Sequence, residues 1–378
     1  MPAQIPKRVG TVYPWRQDAR CELLVDPANF VPAMLEAIAT ARHYILLEMY
    51  LVESGATTAA VIDALVNAAE RGVRIYIILD GFGARHLHRA DRARLKNKAI
   101  ELAFYHPVRL WAPRYLLVRD HRKLLLVDGR IGFTGSMGFS DGIAAGRQTL
   151  SPWHDTVVQF EGSVVGDWQQ LFAALWHNIT SIELNPGYRH VKANHSCSVR
   201  LVSSQPARLN PIYGHLRQRS RLASQRLWIA TAYFLPSWRL RRAMRAAASR
   251  GVDVRLLLPG KITDNMAVRH ASQRFYANLL NAGVRIYEYQ PTFQHAKVSL
   301  VDDWVSIGSS NFDRWSMARN LEANLEVNDP NFADNVTDMF ERDFSASNEM
   351  SLENWMKRSY LQRGRERIWG TLEKWLDK

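Results

Sequence analysis

Two segments of the chain carry the same chemistry-bearing residues at the same spacing. They are His121, Lys123 and Asp128 in the first and His295, Lys297 and Asp302 in the second. Both read H-x-K-x4-D, and each is trailed by Gly-Ser, at Gly135-Ser136 and at Gly308-Ser309-Ser310-Asn311. Near neutral pH an imidazole can act as nucleophile or proton carrier, and an ammonium can hold an anion. In an extended strand alternate side chains share a face. His121 and Lys123 therefore point to one side, ~7 Å apart, and His295 and Lys297 do the same. The aspartates fall on the opposite face at the strand ends, which suits stabilising the motif rather than touching a substrate. One such pattern is weak evidence, but two at corresponding points of a repeat are not.

The elements that position these motifs are also duplicated. Residues 44–54 (YILLEMYLVES) precede a helical pattern ending at Arg71-Gly72, and residues 73–80 then read as a strand. Past the midpoint, residues 227–237 (LWIATAYFLPS) precede a helix ending at Arg250-Gly251, followed by the strand pattern of residues 252–259. Val61, Leu65 and Ala68 form one apolar stripe, and Leu240, Met244 and Ala247 form another. Ser237 is placed to cap its helix, and Gly72 and Gly251 are placed to end theirs. Residues 99–107 match 283–291 in pattern. Strands alternating with helices predict an α/β fold of two duplicated α/β/α halves with mixed, mostly parallel sheets. The expected organisation is residues 1–190, residues 191–344 and a basic amphipathic tail over 345–378.

The chain has 378 residues and a formal net charge of +13, which favours a polyanionic partner, either nucleic acid or an anionic lipid surface. The composition, 47% hydrophobic and 22% charged, is that of a chain with a real core. No stretch reaches the ~18 apolar residues of a membrane span, and the first residues lack a signal peptide's apolar segment. Cys21 and Cys197 make neither a disulfide framework nor a zinc spacing. His86, His88 and His106 lack ligand spacing, and no P-loop or dinucleotide motif occurs, so neither a metal nor a cofactor is expected.

The paired motifs resemble those of the phospholipase D superfamily. Flanking segments are similar to bacterial cardiolipin synthases of the phospholipase-D type: Ile45-Leu-Leu-Glu48, Trp153-His-Asp155-Thr, Ala230-Thr-Ala-Tyr233-Phe, Gly308-Ser-Ser-Asn-Phe-Asp313 and Asn320-Leu-Glu-Ala-Asn324. The resemblance implies a pseudo-two-fold fold in which both motifs build one active site. It implies transfer of a phosphatidyl group, with phosphatidylglycerol as substrate and a phosphohistidine on the way to cardiolipin. Lys123, Lys297, Ser136, Ser309 and Asn311 would bind the phosphate, and by analogy His121 is the nucleophile and His295 the acid/base. The acids that orient the imidazoles are expected to be Asp155 for His121 and Glu322 for His295. Asn311 has Gly138 as its counterpart, so the first half offers one donor fewer.

Between Pro107 and His121 lie thirteen residues, against three between Pro291 and His295. This insert interleaves Trp111 and Tyr115 with Arg109, Arg114 and Arg119, which suits an anionic membrane surface, as does the Trp- and Arg-bearing tail. The expected setting is peripheral, on the cytoplasmic face of the bacterial inner membrane, with nucleic acid an unlikely partner and the oligomeric state open. The alternatives are a phospholipase D-type hydrolase, a phosphodiesterase nuclease of the same superfamily, and a catalytically inactive binding module. Glu48, on an apolar strand, is read as a paired structural acid.

Overall fold

Helix and strand alternate along the chain as the repeats require. The computed structural model describes residues 11–96, 99–107, 118–141, 153–184, 196–206, 210–313 and 318–357, with the backbone of 143–144 and 147–148. The first half contributes β1 (Arg16–Val25), β2 (Tyr44–Met49), β3 (Arg74–Asp80), β4 (Ile100–Tyr105), β5 (Leu124–Val127) and β6 (Ile131–Gly135). A small hairpin, β7 (Ile143–Ala144) and β8 (Arg147–Gln148), stands apart from the main sheet, and β9 (Thr156–Glu161) rejoins it. The second half contributes β10 (Cys197–Ser204), β11 (Arg226–Ala230), β12 (Asp253–Pro259), β13 (Arg285–Tyr289), β14 (Val298–Val301), β15 (Trp304–Gly308) and β16 (Glu322–Asn328). An edge strand, β17 (Ser347–Glu349), completes it.

The strand order is β4-β3-β2-β5-β6-β9-β1 in the first half and β13-β12-β11-β14-β15-β16-β10 in the second, so the repeat seen in sequence is a repeat in space. The halves join where β1 pairs with β10. There the two free cysteines meet: a hydrogen bond between their thiols, together with burial, pushes the Cys21 thiol well above its ordinary pKa. The expectation of mostly parallel sheets is corrected. Among the described residues only β2-β3, β3-β4, β11-β12 and β12-β13 are parallel; the other ten of the main sheet's fourteen pairings are antiparallel. Parallel neighbours need a long crossover, which the helices Ala56–Glu70 and Trp238–Ser249 supply. The motif strands β5 and β14 instead turn back at once, through Asp128 and Asp302 in left-handed backbone (φ 53° and 51°), and such hairpins are antiparallel.

Alternation along each strand splits the core. Leu46, Leu126, Trp228 and Leu300 face a core shared by both halves, with Trp168, Trp176, Phe340 and Phe344 from the helices Val164–Thr180 and Pro330–Ser345. Ile45, Leu47, Leu125 and Val127 face a second core under the helix that carries Val61, Leu65 and Ala68. Leu227, Ile229 and Val301 face the corresponding one with Leu240, Met244 and Ala247. Each fully buried Leu or Ile contributes about 1.5–3 kcal/mol. Ser237 accepts from the Leu240 N–H, and Gly72 and Gly251 both adopt φ 89° beyond their helices, as their positions require.

The tail departs from expectation at its start. Residues 347–349 form a strand beside β13, and Trp355, in the short helix Leu352–Met356, is buried against Tyr276. Residues 358–378 and the insert's Arg109, Trp111, Arg114 and Tyr115 lie outside the described residues. No helix among the described residues is long and apolar enough to cross a membrane.

Candidate active site

Both motifs reach the same end of the sheet. Glu48, near the end of β2, pairs with Leu124, the residue after Lys123, and Ala230, the end of β11, pairs with Val298, the residue after Lys297. The motif histidines and lysines lie just before the strands rather than within them. His121 donates its backbone N–H to Leu321 O (3.0 Å), while Leu321 N–H donates to Arg119 O; His154 N–H donates to Phe293 O and His295 N–H to His154 O (2.8 Å). Each motif is thus stitched to the other half's loop.

That stitching corrects the expected orienting pairs. His121 Nδ1 lies 3.1 Å from Glu322 Oε2, and His295 Nδ1 lies 2.7 Å from Asp155 Oδ1. Each imidazole takes its acid from the opposite half, so neither half alone completes a pair of imidazole and acid. His121 Nδ1 also lies 3.1 Å from Ser309 O. Two acceptors at Nδ1 mean that this nitrogen carries the proton, which leaves Nε2 as the base. His295 Nε2, in contrast, lies 3.0 Å from Lys297 Nζ.

All four motif bases are buried, at 8% exposure or less. Burial, the leading cause, lowers the pKa of His121 despite Glu322; burial and then Lys297 lower that of His295 to about 4. Burial likewise lowers Lys123 to about 7 and Lys297 to about 8. Lys123 Nζ donates to His121 O (2.5 Å) and Lys297 Nζ to His295 O (2.8 Å). Among the described residues neither lysine forms a salt bridge. Two buried amines without a paired carboxylate are poised to take an anion. Asp155 is held below its ordinary range: burial would raise it, but His295 and other donors outweigh this.

The serines are placed differently from expectation. The Ser309 hydroxyl donates to Glu322, and Ser136 bonds to Asp155 and to the Thr156 backbone, so both hydroxyls brace the orienting acids. Asn311 is buried, with its Oδ1 unpartnered among the described residues. Asp128 accepts from the backbone N–H groups of Arg42, His43 and Tyr44, and Asp302 from those of Ser224, Gln225 and Arg226. Both aspartates anchor turns at the far ends of β5 and β14.

Sequence reasoning passed over several contributors. Tyr50 stands edge-on to His121 (centroids 4.7 Å apart), with Lys123 Nζ 5.1 Å from its ring centre, and Trp153 packs 4.8 Å from His295. His154 is clamped between Asp26 (2.8 Å) and Asp343 (3.0 Å) of the other half. These carboxylates overcome the effect of burial and raise its pKa to about 10. Glu48 lies 2.6 Å from Arg122 Nε, the paired structural acid expected.

Comparison with known proteins places the chain in a family. The family described as "Cardiolipin synthase, PLD-like domain" matches residues 34–176 and 216–344. Cardiolipin synthase A of Pseudomonas putida is 33% identical over 340 residues, 88% of this chain and 70% of that protein. Cardiolipin synthase 1 of Bacillus cereus is 31% identical over 357 residues, 90% of this chain and 70% of its own length. In fold, the chain is similar to phosphatidylserine synthase of Haemophilus influenzae Rd KW20, with TM-score 0.73 and 15% identity over 94% of this chain and 93% of that one. With two such motifs joined at one site and relatives of this kind over most of its length, the chain belongs to the phospholipase D-like family of cardiolipin synthases.

Proposed function

We propose that this enzyme is a phosphatidyltransferase that condenses two phosphatidylglycerol molecules to cardiolipin and glycerol at an anionic membrane surface on the cytoplasmic side. The observation that carries this reading is the pair of imidazoles with opposite Nε2 environments above two buried lysines that form no salt bridge among the described residues. His121 Nε2, reached by no hydrogen bond among the described residues, attacks phosphorus. The bond from phosphorus to the glycerol headgroup breaks, and His295 gives its proton to the leaving oxygen. The bound diester anion offsets the penalty that burial and Lys297 place on the His295 imidazolium, so His295 takes up this proton as substrate arrives. In the second step His295 removes the proton from the glycerol hydroxyl of another phosphatidylglycerol. That oxygen attacks the phosphatidyl-histidine, the P–N bond breaks, and cardiolipin leaves.

Lys123, Lys297 and the Asn311 amide hold the phosphate oxygens as charge builds. Glu322 and Asp155 fix the two imidazole tautomers, and Tyr50 and Trp153 wall the reacting centre against water, which favours transfer over hydrolysis. The test is incubation with phosphatidylglycerol vesicles, with lipids read by mass spectrometry. Cardiolipin and glycerol, both lost in His121→Ala and His295→Ala, are the expected products. Phosphatidic acid alone makes the enzyme a hydrolase, and turnover of single-stranded DNA without lipid turnover makes it a nuclease.

A further inference from the structure

The loops around the reacting centre carry a surface unlike the rest of the molecule. Residues 81–92 follow β3, residues 236–242 open the helix after β11, and residues 260–270 follow β12, so all three lie at the catalytic end of the sheet. Eight large apolar side chains are exposed among the described residues, and four of them are here: Phe82 (38%), Trp238 (55%), Ile262 (38%) and Met266 (46%). The same loops expose Arg85, Arg89, Arg239, Arg242 and Lys261 and expose no carboxylate. Their two acids are engaged, Asp91 with Ser54 and Arg94, and Asp264 with Tyr233. Arg85 lies 4.1 Å over the Phe82 ring and Arg239 5.7 Å from the Trp238 ring centre, so cation and aromatic are presented together.

Both halves' loops adjoin the reacting groups. The Arg85 charge bears on Tyr50, which packs on His121, and Asp264 feels the charge of Lys297. Single exposed apolar residues are ordinary on a protein surface, but four beside five unopposed cations at one end of a sheet are a pattern with a partner. Apolar side chains of this size gain by entering the acyl boundary, and Lys and Arg gain by meeting anionic headgroups.

We infer that the rim formed by Phe82, Trp238, Ile262 and Met266 docks on an anionic lipid bilayer and seats the reacting histidines at its headgroups. This rests on the phosphatidyltransferase reading for its purpose, but its test does not depend on turnover. The His121→Ala chain is sedimented with vesicles of equal phosphatidylglycerol and phosphatidylcholine, and with phosphatidylcholine alone. Binding to the anionic vesicles is expected. It should fall by about tenfold or more when Phe82, Trp238, Ile262 and Met266 are all changed to Ser. Arg85→Gln with Arg239→Gln and Lys261→Gln should weaken binding and flatten its salt dependence. Leu222→Ser, at the opposite end of the sheet, should leave it unchanged. All four rim residues are exposed, so an unaltered urea midpoint will show that the quadruple variant is folded.

Parent-like binding by the quadruple variant overturns the inference. So does an equal loss in Leu222→Ser, or binding of single-stranded DNA in place of vesicles. A chain that docks through this rim yet makes no cardiolipin sinks the transferase and leaves the docking intact. One that makes cardiolipin while the quadruple variant still docks sinks the docking alone.

Discussion

Beneath the first motif Glu48, Asp80, Arg119, Asp120 and Arg122 are all buried. Arg122 lies 2.6 Å from Glu48 and 3.3 Å from Asp120, and Arg119 lies 3.3 Å from Asp80. The corresponding positions beneath the second motif are Ala230, Pro259, Phe293, Gln294 and Ala296. The motif histidines and lysines are kept in both halves, while the residues beneath them differ. Burying ions costs desolvation that their attraction at best offsets, so the first foundation is not an obvious gain in stability. It does add connection. Asp80 accepts the N–H groups of Phe82, Gly83 and Asp120, tying a rim loop to the segment entering His121. Burial pushes Glu48 well above the usual carboxylate range and Asp80 up to about 6, against the pull of the two guanidiniums.

The largest expected effect tests whether the halves act as separate catalysts or as one. Because the orienting acids are crossed, Glu322→Gln should disable His121 and Asp155→Asn should disable His295, each lowering kcat by about 10³–10⁴-fold. Acid quench with labelled lipid separates them. Label on histidine should fail to form in Glu322→Gln and should form slowly in Asp155→Asn, whereas the reverse result exchanges the roles of the two histidines.

Next comes the foundation itself. Arg122→Ala leaves Glu48 and Asp120 buried without their cation and should cost about 3–5 kcal/mol in urea unfolding. The Glu48→Ala/Arg122→Ala pair reproduces the second half's two alanines and should cost clearly less than the sum of its single changes. Additive costs would mean that the ions do not act as a unit.

How much of this was legible beforehand follows from where each signal resides. His121, Lys123, His295 and Lys297 announce themselves because their spacing repeats, and the helix stripes through Leu65 and Leu240 do so because burial imposes a 3.6-residue period. The crossing of Asp155 and Glu322 was not legible. It depends on the backbone bridges at Leu321 and His154, which join segments more than a hundred residues apart and leave no local trace. The excess of antiparallel pairing was hidden for a related reason: β5 and β14 are apolar runs that fit either direction, and only the turns at Asp128 and Asp302 decide it. The serines read as phosphate donors by type, whereas their reach is set by the acids on β9 and β16.

A smaller effect sharpens the contrast at His154, whose counterpart across the repeat is the apolar Leu321. Its folded pKa of about 10 lies above the ordinary 6.5, so its stabilisation is full below pH 6.5 and is lost as pH rises through about 10. His154→Leu should cost about 2–4 kcal/mol at pH 6, most of it from the buried Asp343 left unpaired, since the Asp26 side chain is 44% exposed and screened. The decline in urea stability between pH 6.5 and 10 should flatten in the variant. An unchanged slope would remove His154 as the clamp between the halves.

The smallest effect concerns the two lysines, which the halves share but do not hold alike. Lys123 titrates at about 7 and Lys297 at about 8, because burial penalises both ammoniums, and Glu322, first among the opposing charges on Lys123, and Asp155, first on Lys297, only partly restore them. An anion binds the charged forms, so affinity should be highest below pH 7 and fall as pH rises through 7 and then 8. Dimethyl phosphate suits the measurement, since its own charge is constant over this range. Calorimetric titration should show a loss of about tenfold or more between pH 6 and pH 9. Lys123→Met should remove the fall near pH 7 and leave the one near 8, and Lys297→Met should do the converse. If affinity stays level across the range in the unaltered chain, neither lysine changes its charge between pH 6 and pH 9, and the titrations near 7 and 8 are overturned.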